Sequence, residues 1–183
     1  IDEDSGNIVF TVNPIDYDLA DNLTIGYINT NPTLFPADSI SVTPIEGNSE
    51  ESRTFTLKPA KDQFGFSIFI ITISDGIFTT TKQTFLNVNS VNDPPELIFI
   101  DSQNVNEDNT FTYELFANDI ENDDLTYSAN LVASRRSTTN RSGSLSIDNN
   151  IITFVPTNNY TGPVDINVSV SDGEYLDSQT FTL

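Results

Sequence analysis

The chain repeats itself with a period of 97 residues. The tripeptide Ser-Asp-Gly stands at 74–76 and again at 171–173, and the segment PAKDQFG at 59–65 recurs as PTNNYTG at 156–162. Acidic segments near the start of each half follow in the same order. A repeat of this length is the size of one small domain. The sequence therefore predicts a tandem array of two domains.

A stiff segment separates the two halves. It reads NSVNDPP over 89–95, and its two prolines lack a backbone donor and restrict φ, so the chain there should be extended. We predict one domain over 1–91 and a second over 92–183, with a linker at 89–95. A short, stiff linker favours a rod over two freely moving domains.

Both halves show the two-residue periodicity of β-strands. Apolar and polar residues alternate strictly over 164–170, and the matching stretch 67–73 places Phe69, Ile71 and Ile73 on one side. Helical periodicity is nearly absent. Several short strands with turn signals between them predict an antiparallel β-sandwich in each half. The chain has no Cys and no Trp, so the sandwich is Ig-like without the Cys-Trp-Cys signature.

Several residue types needed for catalysis are missing. The chain has no His and no Cys, which excludes His-based general bases, the common nucleophile triads and zinc–thiolate sites. A pair of carboxylates could in principle hydrolyse a glycosidic bond, but the acidic motifs occur in both halves, whereas a catalytic site is expected once. We therefore predict that the chain is not an enzyme.

The chain is strongly acidic, with 27 Asp and Glu against 7 Lys and Arg and a net charge of −20. Nucleic acid is excluded as a partner because its phosphates would be repelled. No stretch is long and apolar enough to insert into a membrane. Three explanations of the acidity stay open, namely solubility in a salty medium, general repulsion between molecules, and carboxylates that bind a hard cation.

Five motifs stand at corresponding places in a recognisable order. They are NED at 106–108, DIENDDLTY at 119–127, FxPxxxYxG at 154–162, VxVSDG at 168–173 and VNDPP at 91–95. Together they resemble the cadherin-like tandem repeats of large bacterial surface and secreted adhesins, over essentially the whole chain. The resemblance implies an all-β fold of two Ig-like or cadherin-like antiparallel β-sandwich domains end to end, located at the cell surface or in the extracellular medium.

The resemblance also implies calcium, because cadherin-type domains bind Ca²⁺ at domain junctions. Transferred motif by motif, the junction ligands are Glu3, Asp62, Asn92, Asp93, Asp119, Glu121 and Asp172. Ala60, Ser90 and Pro94 stand where further ligands would be expected, so fewer ions than in a full junction, or none, are expected. A second, incomplete set consists of Asp16, Asp18 and Asp75. Its other ligands would come from a preceding domain.

Elementary chemistry supports a cation at such a set. Ca²⁺ takes 6–8 oxygen ligands, mainly carboxylates and carbonyls. Asp119 and Glu121 are two residues apart, so in an extended segment their side chains point the same way. Converging carboxylates repel unless a cation neutralises them, and a bound cation would lock the two domains together. For a single aspartate the plainer interpretation is a turn residue, and each Asp-Gly pair favours a two-residue hairpin turn.

One polar loop departs from the acidic character of the chain. Residues 134–144 contain Arg135, Arg136 and Arg141, three of the seven basic residues. They predict either a contact site for an anionic partner or, more plainly, a solvated hairpin loop.

Two functional hypotheses follow. In the first, the chain is a structural and adhesive repeat module, a spacer rod whose partners are the flanking repeats of a longer protein and whose joints Ca²⁺ stiffens. The chain has no signal peptide and begins and ends mid-pattern, which favours a piece of a longer protein. The alternatives are a calcium-independent spacer and a module that binds a polysaccharide or protein ligand. Most Phe and Tyr residues fall at inward strand positions, and only Tyr17, Tyr27 and Tyr175 cannot be assigned inward.

Overall fold

The computed structural model describes residues 1–17, 22–48, 51–132 and 142–183. Within these ranges the chain is built of β-strands with one short 3-10 helix, Ala37–Ser39. The chain divides into two compact units, Ile1–Val91 and Asn92–Leu183. Four residues singled out above, Asp18, Arg135, Arg136 and Arg141, lie outside the described residues.

The described part of the first unit contains seven strands in two antiparallel sheets. The strands are β1 Ile8–Val12, β2 Leu23–Asn29, β3 Ile40–Thr43, β4 Glu46–Gly47, β5 Arg53–Leu57, β6 Gly65–Ser74 and β7 Thr79–Val88. One sheet has the order β1-β5-β3 and the other the order β4-β2-β6-β7. The longest pairing, β6 with β7, runs from Gly65 opposite Val88 to Ser74 opposite Thr79.

The core of the first unit is aromatic. Its fully buried aromatic side chains are Phe35, Phe55 and Phe69. The Phe55 ring stacks on Phe10 at a centroid distance of 5.0 Å and meets Tyr27 edge-on at 6.0 Å. Such pairs add to the stabilisation that comes from buried area alone. Tyr27 therefore packs against the core, although the sequence pattern did not assign it to an inward position.

The described part of the second unit contains eight strands. They are β8 Glu96–Leu97, β9 Phe111–Glu114, β10 Ala117–Asn118, β11 Thr126–Leu131, β12 Gly143–Asp148, β13 Ile151–Pro156, β14 Asp165–Ser171 and β15 Leu176–Thr182. Their sheets have the orders β12-β13-β9, β11-β14-β15 and β10-β8, and every pairing is antiparallel.

The core of the second unit follows the predicted alternation. Ile166, Val168 and Val170 of β14 are fully buried, and Phe154 of β13 is 1% exposed. Because successive side chains of a strand point to opposite faces, these residues define one inward face per strand. The all-β fold with two antiparallel Ig-like sandwich domains in tandem is confirmed.

One inward position of the first unit breaks the apolar pattern. Strand β5 buries Arg53, Phe55 and Leu57 in alternation, and Arg53 has no measurable exposure. Its guanidinium donates Nη2 hydrogen bonds to the carbonyls of Leu23, at 3.2 Å, and Asn48, at 3.5 Å, and an Nη1 hydrogen bond to the carbonyl of Glu51. Among the described residues, no acidic side chain forms an ion pair with Arg53. The dipoles of the backbone carbonyls therefore stabilise its positive charge.

Candidate metal centre

The Ser-Asp-Gly motif of each unit builds a four-residue loop between two strands. Strand β14 ends at Ser171 opposite Leu176 of β15, so four residues connect them, and the loop between β6 and β7 has the same length. The two-residue hairpin turn expected from Asp-Gly is therefore wrong. The loop is longer because the Asp side chain itself closes it through local hydrogen bonds.

The same hydrogen bonds form in both loops. Asp172 Oδ1 accepts from the amides of Glu174, at 2.7 Å, and Tyr175, at 2.6 Å. Asp75 Oδ1 accepts from the amides of Ile77 and Phe78 at 2.7 and 2.6 Å. These turn hydrogen bonds explain why Asp recurs at this position. They use only one oxygen, Oδ1, of each carboxylate.

The second oxygen of Asp172 faces the start of its own unit. Asn92 Nδ2 donates to Asp172 Oδ2 at 3.0 Å. Burial acts to raise the pKa of Asp172, but the amides of Tyr175 and Glu174 and the Asn92 side chain outweigh it and hold that pKa below its ordinary value. Asp172 is therefore a carboxylate kept ionised by its surroundings.

The acidic segment between β10 and β11 contains four more carboxylates, those of Asp119, Glu121, Asp123 and Asp124. Asp119 Oδ1 accepts from the amide of Asp123 at 2.8 Å, which curls the segment around the Asp119 side chain. Glu121 Oε2 accepts from the amide of Asp93 at 3.1 Å. The segment thus brings Glu121 to the end of the second unit where the chain enters it, with Asp119 two residues earlier.

The negative charges of these carboxylates act on Asp123. Burial raises the pKa of Asp123, and the negative charges of Asp119, Asp172, Glu121 and Asp124 raise it further. Exposed like charges act on one another mainly within a Debye length, about 10 Å at 0.1 M ionic strength. We call Asn92, Asp119, Glu121, Asp123 and Asp172 the acidic cluster of the second unit.

Two oxygens of the acidic cluster are buried without a hydrogen-bond partner among the described residues. They are Asp119 Oδ2 and Asn92 Oδ1. Buried acceptors of this kind are rare, and a bound cation is one of the explanations when they occur. Carboxylate and amide oxygens are the donors that Ca²⁺ prefers, so the acidic cluster fits such an ion chemically.

The predicted ligands of the first unit make different local contacts. Near the start of the unit, the buried Glu3 accepts from the amide of Val91 at 2.9 Å, and Asp4 Oδ1 accepts from the amide of Asp62 at 3.4 Å. Asp16 and Asp75 are partly buried, and the hydrogen bonds from the Phe78 and Ile77 amides lower the pKa of Asp75. The participation of Glu3, Asp62 and Asp93 in one ligand set stays a prediction.

Asp123 is a functional candidate that the sequence analysis missed. It lies in the quoted run DIENDDLTY, whose density of acidic residues was the available signal. Its role could not be assigned from spacing, because it depends on the reversal of the backbone between Asp119 and Asp123. Asn122 at φ 60° lies within this reversal.

A second missed feature is an apolar outer face on the first unit. Phe66 of β6 is 68% exposed, Phe85 of β7 72% and Ile28 of β2 58%. Ile68 pairs with Phe85 and Ile70 with Ile28, so the five side chains are neighbours on one side of the sheet. The prediction that most Phe residues fall at inward strand positions therefore fails for Phe66 and Phe85, whereas Phe69 of the same sheet is fully buried.

Comparison with known proteins identifies the family. A family model described as a bacterial Ig domain matches residues 92–183, half of the chain. The chain belongs to the bacterial Ig domain family. Among curated proteins, no sequence matches this bacterial Ig chain significantly.

Solved structures similar to this bacterial Ig chain span several kinds of protein. Human protocadherin-24 EC1-2 shares 16% identity at a TM-score of 0.47, over 92% of this chain and 81% of that one. Dpr11 IG1 bound to DIP-gamma shares 12% identity at a TM-score of 0.44, over 97% and 89%. An endo-fucoidan hydrolase of glycoside hydrolase family 107 shares 15% identity at a TM-score of 0.39. This chain covers 26% of the length of that hydrolase.

Among the described residues of this bacterial Ig chain, no helix is both long enough and apolar enough to cross a membrane.

Proposed function

We propose that the chain is an extracellular repeat module that acts as a spacer, in which the acidic cluster of the second unit binds Ca²⁺. The observation that carries this proposal is that Asp119 Oδ2 and Asn92 Oδ1 are buried and have no hydrogen-bond partner among the described residues. Asn92 bonds Asp172, and Asp119 bonds the amide of Asp123. The family supports an extracellular setting, since repeat domains of this kind typically stand on cell surfaces.

The chemistry that the ion would supply is charge neutralisation. Without a cation, the carboxylates of the acidic cluster repel one another, and burial together with this repulsion raises the pKa of Asp123. Asp119, Glu121, Asp172 and the Asn92 side-chain oxygen would hold the ion. Because the unfolded chain has no such arrangement, the binding free energy adds to the folding free energy.

The wider role rests on the resemblance to cadherin-like repeats. There, ions at a domain junction are shared by consecutive domains. Glu3 and Asp62 are the residues through which the first unit would contribute, and the two prolines at 94 and 95 would restrict the linker. In this proposal the role of the chain is mechanical, holding other parts of a longer protein at a distance, and it requires no catalysis.

Calcium is expected to stabilise the chain against heat. Extracellular modules bind Ca²⁺ with dissociation constants of about 0.1–1 mM, so 10 mM Ca²⁺ adds about 1.4–2.7 kcal/mol relative to EDTA. For a unit of this size the melting temperature then rises by roughly 5–15 °C. Differential scanning calorimetry in the two buffers measures the shift, and Asp119→Asn should remove most of it.

The matched control is Asp101→Asn, which removes one negative charge from an exposed residue outside the acidic cluster. It should leave the calcium shift intact. Equal melting temperatures of the parent chain in Ca²⁺ and EDTA would overturn the metal proposal and leave a calcium-independent spacer.

Small-angle X-ray scattering in the same buffers tests stiffening of the linker separately. If Ca²⁺ stiffens the linker, the distribution of the maximum dimension of the chain is expected to be narrower in Ca²⁺ than in EDTA.

The apolar outer face of the first unit supports a second candidate function, the binding of a polysaccharide or protein ligand. Exposed apolar patches often mark binding sites. At 97-residue spacing, the second unit has Pro163, Asp165, Asn167 and Thr182 where the first has Phe66, Ile68, Ile70 and Phe85. The apolar face is therefore a property of one repeat and is not required by the fold.

For this second candidate, the double variant Phe66→Thr/Phe85→Thr is expected to stay folded, because both side chains point outward and Thr suits a strand. Co-sedimentation with insoluble polysaccharides measures binding. The parent chain and Phe99→Thr, which removes an exposed aromatic from the second unit, should sediment, and the double variant should not. If the parent chain stays in solution with every polysaccharide, the polysaccharide form of this candidate is rejected.

A further inference from the structure

We propose that the free edge of strand β2, with the cleft beside it, binds an extended peptide whose apolar residues are followed by lysine or arginine. The peptide belongs to another protein and adds to the sheet as a further strand. The inference deepens the second candidate function and rests on its protein form, to which it gives a defined site. It is independent of the acidic cluster.

Strand β2 is paired along only part of its outer side. Strand β4 is two residues long and pairs with Leu23 and Thr24. One further hydrogen bond follows, from the amide of Ile25 to the carbonyl of Ile45 at 3.0 Å. Among the described residues, no strand pairs with this side of β2 beyond that bond, although β2 continues to Asn29.

The backbone groups of Tyr27 point to this free side. In an antiparallel sheet, alternate residues of a strand bond to the neighbour on one side. The amide of Thr30 bonds the carbonyl of Ile68 on β6, whereas the amide of Ile25 bonds Ile45 on the opposite side. Because Tyr27 is two residues from Ile25, its amide and carbonyl also face away from β6. They are placed for the hydrogen bonds of strand addition to a sheet edge.

A cleft of about 360 Å³ lies beside this edge, between β2 and β3, which is the edge strand of the other sheet. Its lining includes Ile25, Tyr27, Ile40, Val42 and Ile45. Tyr27, Ile40 and Val42 pack against the core, so the floor of the cleft is apolar. Residues opposite each other in a sheet share a face. A residue added opposite Tyr27 therefore points into the cleft, where burial favours an apolar side chain.

The neighbouring residues of an added strand face the other side of the sheet. There they lie beside Ile28, which is 58% exposed and belongs to the apolar outer face of the first unit. Strand β3 also has a free edge, but its outward residues Ser41 and Thr43 are polar and exposed. An extended apolar peptide therefore fits β2 better than β3, because β2 offers apolar contacts on both faces.

Charge indicates what flanks the apolar residues of the peptide. A peptide antiparallel to β2 runs in the direction of β4 and therefore ends beside Ile45. The exposed side chains of Glu46 and Glu51 lie at that end, whereas Arg53 is fully buried and donates to backbone carbonyls. These carboxylates favour a basic residue at the carboxyl end of the peptide. The net charge of −20 attracts a cationic peptide and disfavours a second copy of this chain.

The test uses the full chain and the fluorescein-labelled peptide Thr-Val-Ile-Val-Thr-Lys-Lys, in EDTA. Antiparallel to β2, this peptide can place its second valine opposite Tyr27 and its lysines at the Glu46 end. Fluorescence anisotropy is expected to show saturable binding. Serine in place of both valines should weaken binding by about tenfold or more, because two apolar side chains lose their burial. Glutamate in place of both lysines should weaken it by about the same factor, and added salt should weaken binding of the lysine peptide.

Variants of the chain locate the site. Ile45→Asn removes an apolar wall of the cleft without adding charge, and the chain should stay folded because Ile45 is 57% exposed. It should weaken binding by about fivefold or more. The matched control is Ile151→Asn in the second unit, at a residue 45% exposed, which should bind like the parent chain. At saturation, hydrogen exchange of the Tyr27 amide should slow by about tenfold.

The proposal would be overturned if the lysine peptide shows no saturable binding, or if the parent chain and Ile45→Asn bind it equally. Loss of binding in Phe66→Thr/Phe85→Thr, with unchanged binding in Ile45→Asn, would place the ligand on the apolar outer face. That result would support the second candidate function and reject the β2 site. Sedimentation velocity tests the chain alone, and a dimer that Ile45→Asn dissociates would assign the edge to a second copy and reject the peptide partner.

Discussion

Phe154→Ala is expected to lower the free energy of unfolding of the second unit by about 3–5 kcal/mol. Phe154 is 1% exposed and lies on β13, the central strand of the β12-β13-β9 sheet. It pairs with Leu145 on one side and with Phe111 on the other. Removal of the ring takes away its transfer free energy and leaves a cavity that strands paired on both sides cannot close.

Chemical denaturation followed by circular dichroism measures this effect. The conservative variant Phe154→Leu keeps most of the apolar volume and should cost about 1–1.5 kcal/mol. The transition of the first unit should not move in either variant, because the core of that unit consists of other residues. A loss below 1.5 kcal/mol for Phe154→Ala, by the scale of cavity-forming substitutions, would contradict the central role given to this residue.

Arg53→Ala is expected to destabilise the first unit by about 2–4 kcal/mol. Arg53 is fully buried at an inward position of β5, and its guanidinium donates hydrogen bonds to the carbonyls of Leu23, Asn48 and Glu51. Alanine leaves these acceptors without their donor and removes the packing of the aliphatic stem.

Arg53→Met separates the two contributions. Methionine retains much of the volume of the stem but donates no hydrogen bond, so it should recover part of the loss. Urea unfolding of all three chains measures the difference. If Arg53→Met matches or exceeds the stability of the parent chain, the buried charge is a net cost, as has been found when apolar residues replace other buried ions. Equal stability of Arg53→Ala and the parent chain would show that the hydrogen bonds contribute nothing.

The position of the proposed ligands was predictable only as far as local spacing reaches. Asp119 and Glu121 stand two apart, and they do lie in one acidic cluster with Asp172 and Asn92. The loop length at Asp172 was not predictable from Asp-Gly alone, since the side chain of the aspartate competes with the shorter turn. Asp123 joins the cluster only because the backbone reverses between it and Asp119.

The inward face of each strand was predictable where only one face is apolar. In β14, Ile166, Val168 and Val170 alternate with polar residues, so only one face of the strand is apolar and that face must point inward. In β6 both faces are rich in apolar residues, with Phe66, Ile68 and Ile70 on one side and Phe69 and Ile71 on the other. Alternation alone therefore could not show which side of β6 would be exposed.

The sequence by itself determined two tandem all-β units and most of their core, because the 97-residue repeat and the two-residue alternation are local properties of the chain. Only the tertiary structure decided which oxygens of the aspartates are used by turns and which stay available, and which face of β6 is exposed. These outcomes depend on pairing between segments far apart in sequence, whose hydrogen bonds and packing decide between locally equivalent arrangements.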